Sequence, residues 1–456
     1  MDDSIVAGLS FSRIAIIGGG ASGALLAAHL LREPGGKVSV TLIEPRDEIG
    51  RGLAYSTGNP RHLLNVRAEN MSAFADDPDH FWRWLLAEGH DGEDRFCFVP
   101  RALYGRYLGG LLEDFLGSAG DTARLSLVRD VAVGLVKKTD RLAIELASGR
   151  FVETDVAILA CGHEDGAGRD PLNVGPWAEP PAEGPPPNSA VLILGTGLTM
   201  VDVALSLVDG GHRGPIVALS RRGLLPQAHR RVAPTKMDVA SRPSGADLAK
   251  LSRWLRTSVR ESQAQGGDWR SVIDGFRPEV QAIWQEMPIA ARRRFLEHAR
   301  PWWDTHRHRM APEVEARLHA MIRDGRLEIV AGKVTATAPI DGGARISIRR
   351  RGDNQSLALT VSRIVSCRGV TNDPRKSANS LIAQLIARGH ARADPLGIGL
   401  DINDDCAVIN AEGRPWERLF AIGPMSQAAF WEIIAVPDIR IQVAALAARL
   451  RAQAEQ

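Results

Sequence analysis

The residues best suited to chemistry in this sequence are the glycines of a turn near its start. Gly18-x-Gly20-x-x-Gly23 follows an apolar run at 14–17 and leads into a stretch typical of a helix. In such a turn the first glycine makes a tight bend, the second lets the backbone approach a pyrophosphate, and the third lets the helix pack on the strand. The helix N-terminus then offers unpaired amides and a partial positive charge to the phosphates. The pattern predicts a dinucleotide site.

An acid stands where such a site needs one. Glu44 ends the next apolar run, at about the distance along the chain at which a carboxylate accepts hydrogen bonds from the adenosine ribose. The alternative is a glycine-rich turn without a ligand, and the order of strand, turn, helix and strand argues against it. This unit alone leaves open whether the dinucleotide is NAD or FAD.

A second turn of the same kind lies in the middle of the chain. The stretch VLILGTGLTMVDVAL (191–205) has two glycines, and Met200 stands in the place of the third. The next apolar run ends in Ser-Arg-Arg-Gly (220–223) rather than in an acid. Without a carboxylate the 2′-hydroxyl of NAD loses its usual partner, whereas two guanidinium groups and a hydroxyl suit the 2′-phosphate of NADP. The alternative is a basic strand end that only contacts solvent, and the position of the two arginines favours NADPH binding.

Composition and cysteine spacing exclude several other kinds of protein. The chain has 456 residues, 44% of them hydrophobic, and a formal net charge of +2, so no overall field points to nucleic acid or a membrane surface. The four cysteines form neither a CxxC pair nor a metal-ligand spacing, so we expect no metal site and no redox dithiol. An acidic start and the lack of a long apolar run predict a cytoplasmic protein without a membrane span.

The order of these elements predicts an α/β fold with two Rossmann-like dinucleotide-binding domains, one inserted in the other. A stretch rich in proline and glycine at 169–188 is typical of a domain boundary. After each turn the chain has a hairpin pattern and a buried strand, at 142–162 and at 344–369. We expect a discontinuous first domain at 1–175 and 371–456, an inserted second domain at 188–245 and 326–370, and a helical insertion or cap at 246–325.

The helical insertion is dense in arginine and tryptophan. Its centre is RRRFLEHARPWWDTHRHRM (292–310). A basic and aromatic wall of this kind is suited to hold an anionic substrate or the phosphates of NADPH. A solvated charged face, the usual role of charge runs on helices, is the other interpretation.

Together these motifs resemble a family of bacterial FAD/NAD(P)-binding flavoproteins. The family contains urate hydroxylase and L-aspartate N-monooxygenase-like proteins, and it is distantly related to ornithine and lysine N-hydroxylases. The resemblance runs over essentially the whole chain. Besides the two turns, it rests on GRGLAYSTGNPRHLLNVRAENMSAF (50–74), FVPRALYGRYL (98–108), RPWWDTHRHRMAPE (300–313) and IGPMSQAAFWEIIAVPDIR (422–440).

The resemblance implies that the first domain binds FAD and the inserted domain NADPH. The implied FAD residues are Gly18, Gly20, Ser22, Gly23, Glu44, Asn65, Met71, Gly162, Gly423 and Pro424. The implied NADPH residues are Gly195, Thr196, Gly197, Ser220, Arg221 and Arg222. Three departures from the family, Cys161, Arg67 and the run 367–370, lie where flavin, nicotinamide and substrate should meet, so a relative's substrate does not carry over.

Two dinucleotide sites in one chain indicate that a hydride is transferred from one bound cofactor to the other. The lack of a CxxC dithiol disfavours a disulfide reductase. We expect an NADPH- and FAD-dependent monooxygenase that uses molecular oxygen, through a flavin hydroperoxide, to hydroxylate a small, anionic substrate, most simply at the nitrogen of an amino acid or related amine. Two alternatives stay open: a flavin oxidoreductase that passes electrons to an organic acceptor, and a non-enzymatic flavoprotein that senses NADPH.

An amine must lose a proton before its lone pair can attack, so the hydroxylation needs a base. His308 and Glu432 are the candidate catalytic residues. Aromatic and basic side chains suit a water-excluding pocket for an anion. The candidate substrate residues are Trp303, Arg309 and Trp431.

Overall fold

The computed structural model describes residues 11–90, 94–116, 124–162, 173–175, 184–244, 247–353, 356–369 and 373–455. The chain divides into unit 1 (Met1–Glu164 and Thr371–Gln456) and unit 2 (Asp165–Val370). In both units helices accompany sheets that are mainly parallel, so the predicted α/β class with Rossmann-like domains is confirmed. The finer division of the chain at 175, 188, 245 and 325 stays a prediction.

The elements of the described residues are numbered in chain order. The strands are β1 (Arg13–Ile17), β2 (Ser39–Ile43), β3 (Leu125–Val128), β4 (Ala132–Lys137), β5 (Leu142–Leu146), β6 (Phe151–Thr154), β7 (Val156–Leu159), β8 (Asn173–Val174), β9 (Val191–Leu194), β10 (Ile216–Ser220), β11 (Leu327–Ile340), β12 (Gly343–Arg350), β13 (Ser356–Val361), β14 (Arg363–Ser366), β15 (Ala407–Ile409) and β16 (Pro415–Ala421). The α-helices are α1 (Ala21–Leu31), α2 (His80–Ala87), α3 (Arg101–Gly110), α4 (Glu113–Leu116), α5 (Leu198–Asp209), α6 (Leu248–Ala264), α7 (Trp269–Phe276), α8 (Val280–Glu286), α9 (Ile289–Arg294), α10 (Arg300–Arg307), α11 (Pro312–Arg323), α12 (Ser380–Ala387) and α13 (Val436–Glu455).

Unit 1 has a six-stranded sheet in the order β15-β16-β7-β1-β2-β3, in which only β15 runs antiparallel to its neighbour. Its central strand β1 is covered on both faces. Ile14 and Ile16 pack with α1 and α13, whereas Ala15 and Ile17 pack with α12 and the separate antiparallel sheet β4-β5-β6. Because successive side chains of a strand point to opposite faces, the sequence of a strand covered on both faces is a continuous apolar run.

Unit 2 repeats this plan in a seven-stranded sheet, in the order β13-β12-β11-β10-β9-β14-β8. Val191 and Ile193 of β9 pack with α5 and α11, whereas Leu192 and Leu194 pack with β12. The antiparallel strands β12 and β13 form the second predicted hairpin, as β5 and β6 form the first. Between β10 and β11 lie the helices α6 to α11.

The two turns after β1 and β9 have the same backbone hydrogen bonds. The Gly18 amide donates to the last residue of β2, and the Gly195 amide donates to Leu219 of β10. The residue after the return strand then donates back to the end of the first strand, from Ala160 to Ile17 and from Cys367 to Leu194. Both turns therefore place their helix N-termini in the same way relative to three parallel strands.

The first and third glycines of the first turn are required by close approach. A Cβ on Gly18, whose φ is +107°, would lie 2.5 Å from the Ala160 oxygen, and one on Gly23 would lie 2.0 Å from the Gly18 oxygen. In the second turn a Cβ on Gly195 would lie 2.3 Å from the Cys367 oxygen. Met200 at the third position is fully buried against the sheet, so this turn is wider where the helix begins.

The helical part of unit 2 contains one irregular turn. A π-helical turn at Phe295–Ala299 precedes α10, whose second residue is Pro301. Proline lacks an amide hydrogen and its ring clashes with the carbonyl four residues earlier, so a wider turn at this point relieves the clash. None of the helices in the described ranges has the length and apolar character needed to cross a bilayer.

Replacement of Gly23 tests the tightness of the first turn. We expect Gly23→Ala to lower the free energy of unfolding by at least about 2 kcal/mol, because the added methyl group has no space. Gly58→Ala is the matched control, since a Cβ there meets no atom within 4 Å, and it should change stability by less than about 0.5 kcal/mol. Thermal or urea unfolding measures both, and equal stability of the two variants would contradict the assigned contact.

Candidate functional site

Glu44 lies at the carboxyl end of β2, next to the first turn. Its side chain is 3% exposed, and its carboxylate accepts hydrogen bonds from the Gly19 amide (2.8 Å) and from Nε of Arg46 (2.8 Å). Burial raises the pKa of Glu44, but the hydrogen bonds and charge of Arg46 outweigh burial and hold the pKa below its usual value. The carboxylate is therefore ionised at neutral pH, as an acceptor for ribose hydroxyls must be.

The residue between the first two glycines has no space for a side chain. A Cβ on Gly19 would lie 2.7 Å from the Cβ of Glu44, so the local backbone geometry requires glycine at position 19. Gly20 faces Gly52, whose Cα would lie 3.3 Å from an added Cβ. A backbone free of side chains therefore surrounds the start of α1, and this cradle fits the pyrophosphate of a dinucleotide.

The structure brings three further predicted FAD residues to the same turn. A Cβ on Gly423, whose φ is +63°, would lie 2.3 Å from Oγ of Ser22, so the 3₁₀ turn Gly423–Ser426 sits directly against α1. The Gly423 amide donates to Gln442 of α13, and Gln442 in turn donates to Ser426. Pro424 follows in this braced turn and is half-buried.

The other predicted FAD residues lie elsewhere in unit 1. Asn65 is half-buried in the connection between β2 and α2. Met71, 2% exposed, is enclosed in the core shared with α1 and α13. Gly162 follows β7 with a φ of +69°, and no atom of the described residues lies within 4 Å of a Cβ built there. Met71, in contrast, is enclosed by other side chains of the core.

Hydroxyl groups take the place of the acid in the second turn. The Thr196 hydroxyl donates to the Leu224 carbonyl (2.6 Å) and lies 2.9 Å from the Ser220 hydroxyl, which accepts from the Gly223 amide (2.9 Å). Thr196 and Ser220 correspond in position to Gly19 and Glu44. The two hydroxyls contact each other, and the pair braces the segment after β10.

That braced segment carries the two predicted phosphate-binding arginines. Arg221 is exposed, and no described residue forms a hydrogen bond or ion pair with its side chain. Arg222 is half-buried, and its Nη2 lies 3.5 Å from the His298 carbonyl oxygen in the π-helical turn. A Cβ on Gly197 would meet no atom within 4 Å, so the start of α5 is also open. The segment presents cationic groups beside an open helix N-terminus.

The residues of the predicted basic and aromatic wall, within 292–310, differ in burial. Arg309 is 3% exposed and pairs with Asp274 of α7. Trp303 packs edge-on against Phe276, with ring centroids 5.8 Å apart. His308 is partly exposed, with Nε2 3.8 Å from a carboxylate oxygen of Asp304. These predicted residues belong to unit 2.

Glu432 and Trp431 belong to unit 1, at the connection that leads into α13. Both are buried, at 5% and 4% exposure. Glu432 has a φ of +69°, and Cys406 is the other non-glycine residue with a positive φ in the described ranges. Such a backbone costs on the order of 1 kcal/mol and occurs often at functional sites. The candidate catalytic residues are therefore divided between the units, with Glu432 in unit 1 and His308 in unit 2.

The sequence analysis did not single out several residues of the first site. Gly19, Arg46, Gly52 and Gln442 each contact a predicted FAD residue. Arg46 has a local signal, because a cation two residues after a strand-end acid can turn back to it. Gln442 has none, since it lies on a distant helix and its partner is a backbone amide.

Comparison with protein families supports the first site. Residues 15–164 match a family model described as FAD-NAD(P)-binding. A 3-dehydro-bile acid delta(4,6)-reductase of Clostridium scindens is 30% identical over 161 residues, which make up 33% of this chain. The chain spans 39% of the length of that reductase.

Solved structures match over nearly the whole chain. L-lysine 6-monooxygenase from Pseudomonas syringae has a TM-score of 0.66 at 16% identity, over 97% of this chain and 99% of that chain. The reduced form of ornithine hydroxylase from Pseudomonas aeruginosa has a TM-score of 0.64 at 13% identity, with the same coverage. At these identities the likeness shows the fold. The family match at residues 15–164 supports the predicted binding of FAD and NAD(P).

Proposed function

We propose that this protein is an NADPH- and FAD-dependent monooxygenase that hydroxylates the nitrogen of a small, anionic amine. The observation that carries the proposal is the pair of equivalent turns, one with a buried acid and one followed by two arginines. Bound FAD would supply the redox chemistry, taking electrons from NADPH and activating oxygen. The overall reaction consumes the amine, O₂, NADPH and a proton, and it yields the hydroxylamine, water and NADP⁺.

The first turn is the proposed FAD site. Backbone amides at the start of α1 would bind the pyrophosphate, and the Glu44 carboxylate would bind the ribose. Gly162 and the Gly423 turn would border the rest of the cofactor, with Asn65 and Met71 as the flavin-side residues implied by the resemblance.

Two further expectations stay predictions. They are the finer grouping with urate hydroxylase and L-aspartate N-monooxygenase, and the cytoplasmic location.

The second turn is the proposed NADPH site. Gly195, Thr196 and Gly197 would form the phosphate-binding turn. Arg221 is the favoured partner of the 2′-phosphate because its guanidinium is exposed and has no partner among the described residues. Ser220 would act mainly by holding the arginine segment through its bond from the Gly223 amide.

The second candidate function is that of a reductase, in which an organic compound rather than oxygen accepts the electrons. It is favoured by the partial similarity to the bile acid reductase, whose name denotes reduction of an organic compound. In that case the protein would transfer electrons from NADPH through FAD to a conjugated carbonyl or similar acceptor, without hydroxylation. The structural likeness to N-hydroxylating enzymes over nearly the whole chain favours the monooxygenase.

A turnover assay separates the two functions. FAD-loaded protein is mixed with NADPH in ¹⁸O₂ and offered a panel of amino acids and diamines. We expect an amine to accelerate NADPH consumption, to lower the hydrogen peroxide yield and to acquire one ¹⁸O atom, as measured by mass spectrometry. Oxygen-independent turnover with an enone and no labelled product would establish the reductase instead.

Arginine replacement tests the coenzyme assignment. Arg221→Ala should raise the KM for NADPH about tenfold or more and leave the KM for NADH within about twofold, because only NADPH carries the 2′-phosphate. Arg213→Ala, at another exposed arginine of unit 2, is the charge-matched control. Steady-state kinetics with both coenzymes gives the answer, and equal changes in the two KM values would refute the phosphate contact.

Glu432, which is buried and has a left-handed backbone conformation, is favoured as the base over the partly exposed His308. Glu432→Gln keeps the side-chain shape, and we expect it to slow amine hydroxylation about 100-fold at neutral pH while amine-free NADPH oxidation stays unchanged. The deficit should shrink toward pH 9, where more of the amine is already deprotonated. Glu417→Gln, at an exposed site of the same unit, is the control. A deficit that does not change with pH would assign Glu432 a structural role.

A further inference from the structure

Arg309 is held in a fixed position inside unit 2. It is 3% exposed and lies two residues after Arg307, the last residue of α10. The next residue is fixed by two backbone bonds: the Met310 amide donates to Gln227, and the Met310 carbonyl accepts from the His229 amide, both at 2.9 Å. The Arg309 side chain is therefore placed by the segment after β10 and by α7, which carries its partner Asp274.

Most hydrogen-bond donors of this guanidinium have no acceptor. Nη2 pairs with Asp274, but Nε and Nη1 are buried and have no hydrogen-bond partner among the described residues. These two nitrogens carry three of the five N–H donors of an arginine. A buried donor without an acceptor costs on the order of 1–3 kcal/mol, and more when it is charged. Burial also lowers the pKa of Arg309, although Asp274 opposes this effect.

The neighbouring Arg270 shows how the same surroundings satisfy a buried arginine. It is 6% exposed, its Nε donates to the Ala228 carbonyl (2.7 Å), and its Nη1 donates to Asp268 (3.2 Å). Both guanidinium groups lie near the Trp269 ring, at 4.3 Å for Arg270 and 6.0 Å for Arg309. Arg309 therefore differs from its neighbour in its missing acceptors, not in its degree of burial.

The charge around Trp269 is also unbalanced toward the positive. Asp268 is shared by Arg270 and Arg230, the latter at 3.6 Å, and Asp274 pairs with Arg309. Three cations thus face two carboxylates in these contacts. An added carboxylate group would reduce this excess of positive charge, and it would supply the acceptors that Arg309 lacks.

We propose that Arg309 anchors a binding site for the carboxylate of a small molecule. A carboxylate group matches the planar guanidinium and brings one charge into the contact, whereas a phosphate dianion places two charges there and would be repelled more strongly by Asp268 and Asp274. Asp274 is 29% exposed and Trp269 is half-buried, so the partner of Arg309 and the ring beside it both reach the surface. The carboxylate belongs to the amine substrate, which rests on the proposed function, or to a separate effector.

Thermal denaturation of the FAD-loaded protein without NADPH tests the site independently of turnover. The probes are succinate, its uncharged diamide and inorganic phosphate at equal ionic strength. We expect succinate alone to raise the Tm in a saturable way. Arg309→Met should weaken the apparent Kd for succinate about tenfold or more, and Arg294→Met, at an exposed arginine of unit 2, should leave it unchanged.

Two further variants protect the test against misfolding of Arg309→Met. Arg309→Lys keeps the charge but loses the planar donors, so it should bind succinate more weakly than the native protein. Asp274→Asn removes the competing carboxylate, so it should bind succinate more tightly. A succinate response that is unchanged in the arginine variants, or a phosphate response equal to that of succinate, would overturn the carboxylate site.

Kinetics then identify the source of the carboxylate. If it belongs to the substrate, succinate competes with the amine, and Arg309→Met raises the KM of the amine about tenfold with little change in kcat. If it belongs to an effector, the KM of the amine stays unchanged and succinate does not compete. If succinate binds through Arg309 but no amine is hydroxylated, the proposed function is refuted and the carboxylate site stands. If an amine is hydroxylated but succinate binding does not depend on Arg309, the carboxylate site is refuted and the proposed function stands.

Discussion

The contact between a turn glycine and a carbonyl oxygen on the neighbouring strand is the constraint on which both units depend. Gly18 lies against Ala160, and Gly195 lies against Cys367, too closely for any side chain. This contact exists only because a return strand, β7 or β14, runs parallel to the first strand and directly beside it. The return strand therefore fixes the amides at the helix N-terminus, and the hairpin before it has to bring the chain back to that position.

A second constraint couples the turn to the end of the next strand. Glu44 fills the space beside the first turn, so only glycine is accommodated at position 19. At the equivalent place in unit 2, Thr196 and Ser220 stand instead, and their two hydroxyls lie within hydrogen-bond distance. The glycine and the acid of the first turn are thus replaced together by two hydroxyl residues. The ionised carboxylate of the first turn has no counterpart in the second, where Arg221 is the exposed charged group.

Much of the fold could be predicted from the sequence because its signals are local. The glycine spacing, the apolar runs of β1 and β9 and the two hairpins all depend on residues close together in the chain. The missed contacts join distant segments, as Gln442 of α13 does when it accepts from the Gly423 amide. The charged run of 300–309 shows the limit most clearly. The sequence left open whether it is a solvated charged face or a wall for an anion, and the structure has Arg309 buried and Trp302 exposed within it. Charge density along the chain could not predict this difference, because Arg309 lies beyond α10 and is enclosed where it pairs with Asp274 of α7.

The free-energy cost of leaving a guanidinium unpaired depends on its exposure, and three arginines of this protein differ in exposure. Arg221 is exposed, so water satisfies its donors and leaving it unpaired costs little. Arg46 is half-exposed and bound to Glu44, so its charge serves to hold the carboxylate ionised. Arg309 is buried at Nε and Nη1 and has no acceptor for them among the described residues, although Ala228 and Asp268 accept from Arg270 next to it. The fold can complete the hydrogen bonds of a buried arginine at this place, so the incomplete set at Arg309 is a specific feature of that residue, and an anion from outside the chain accounts for it.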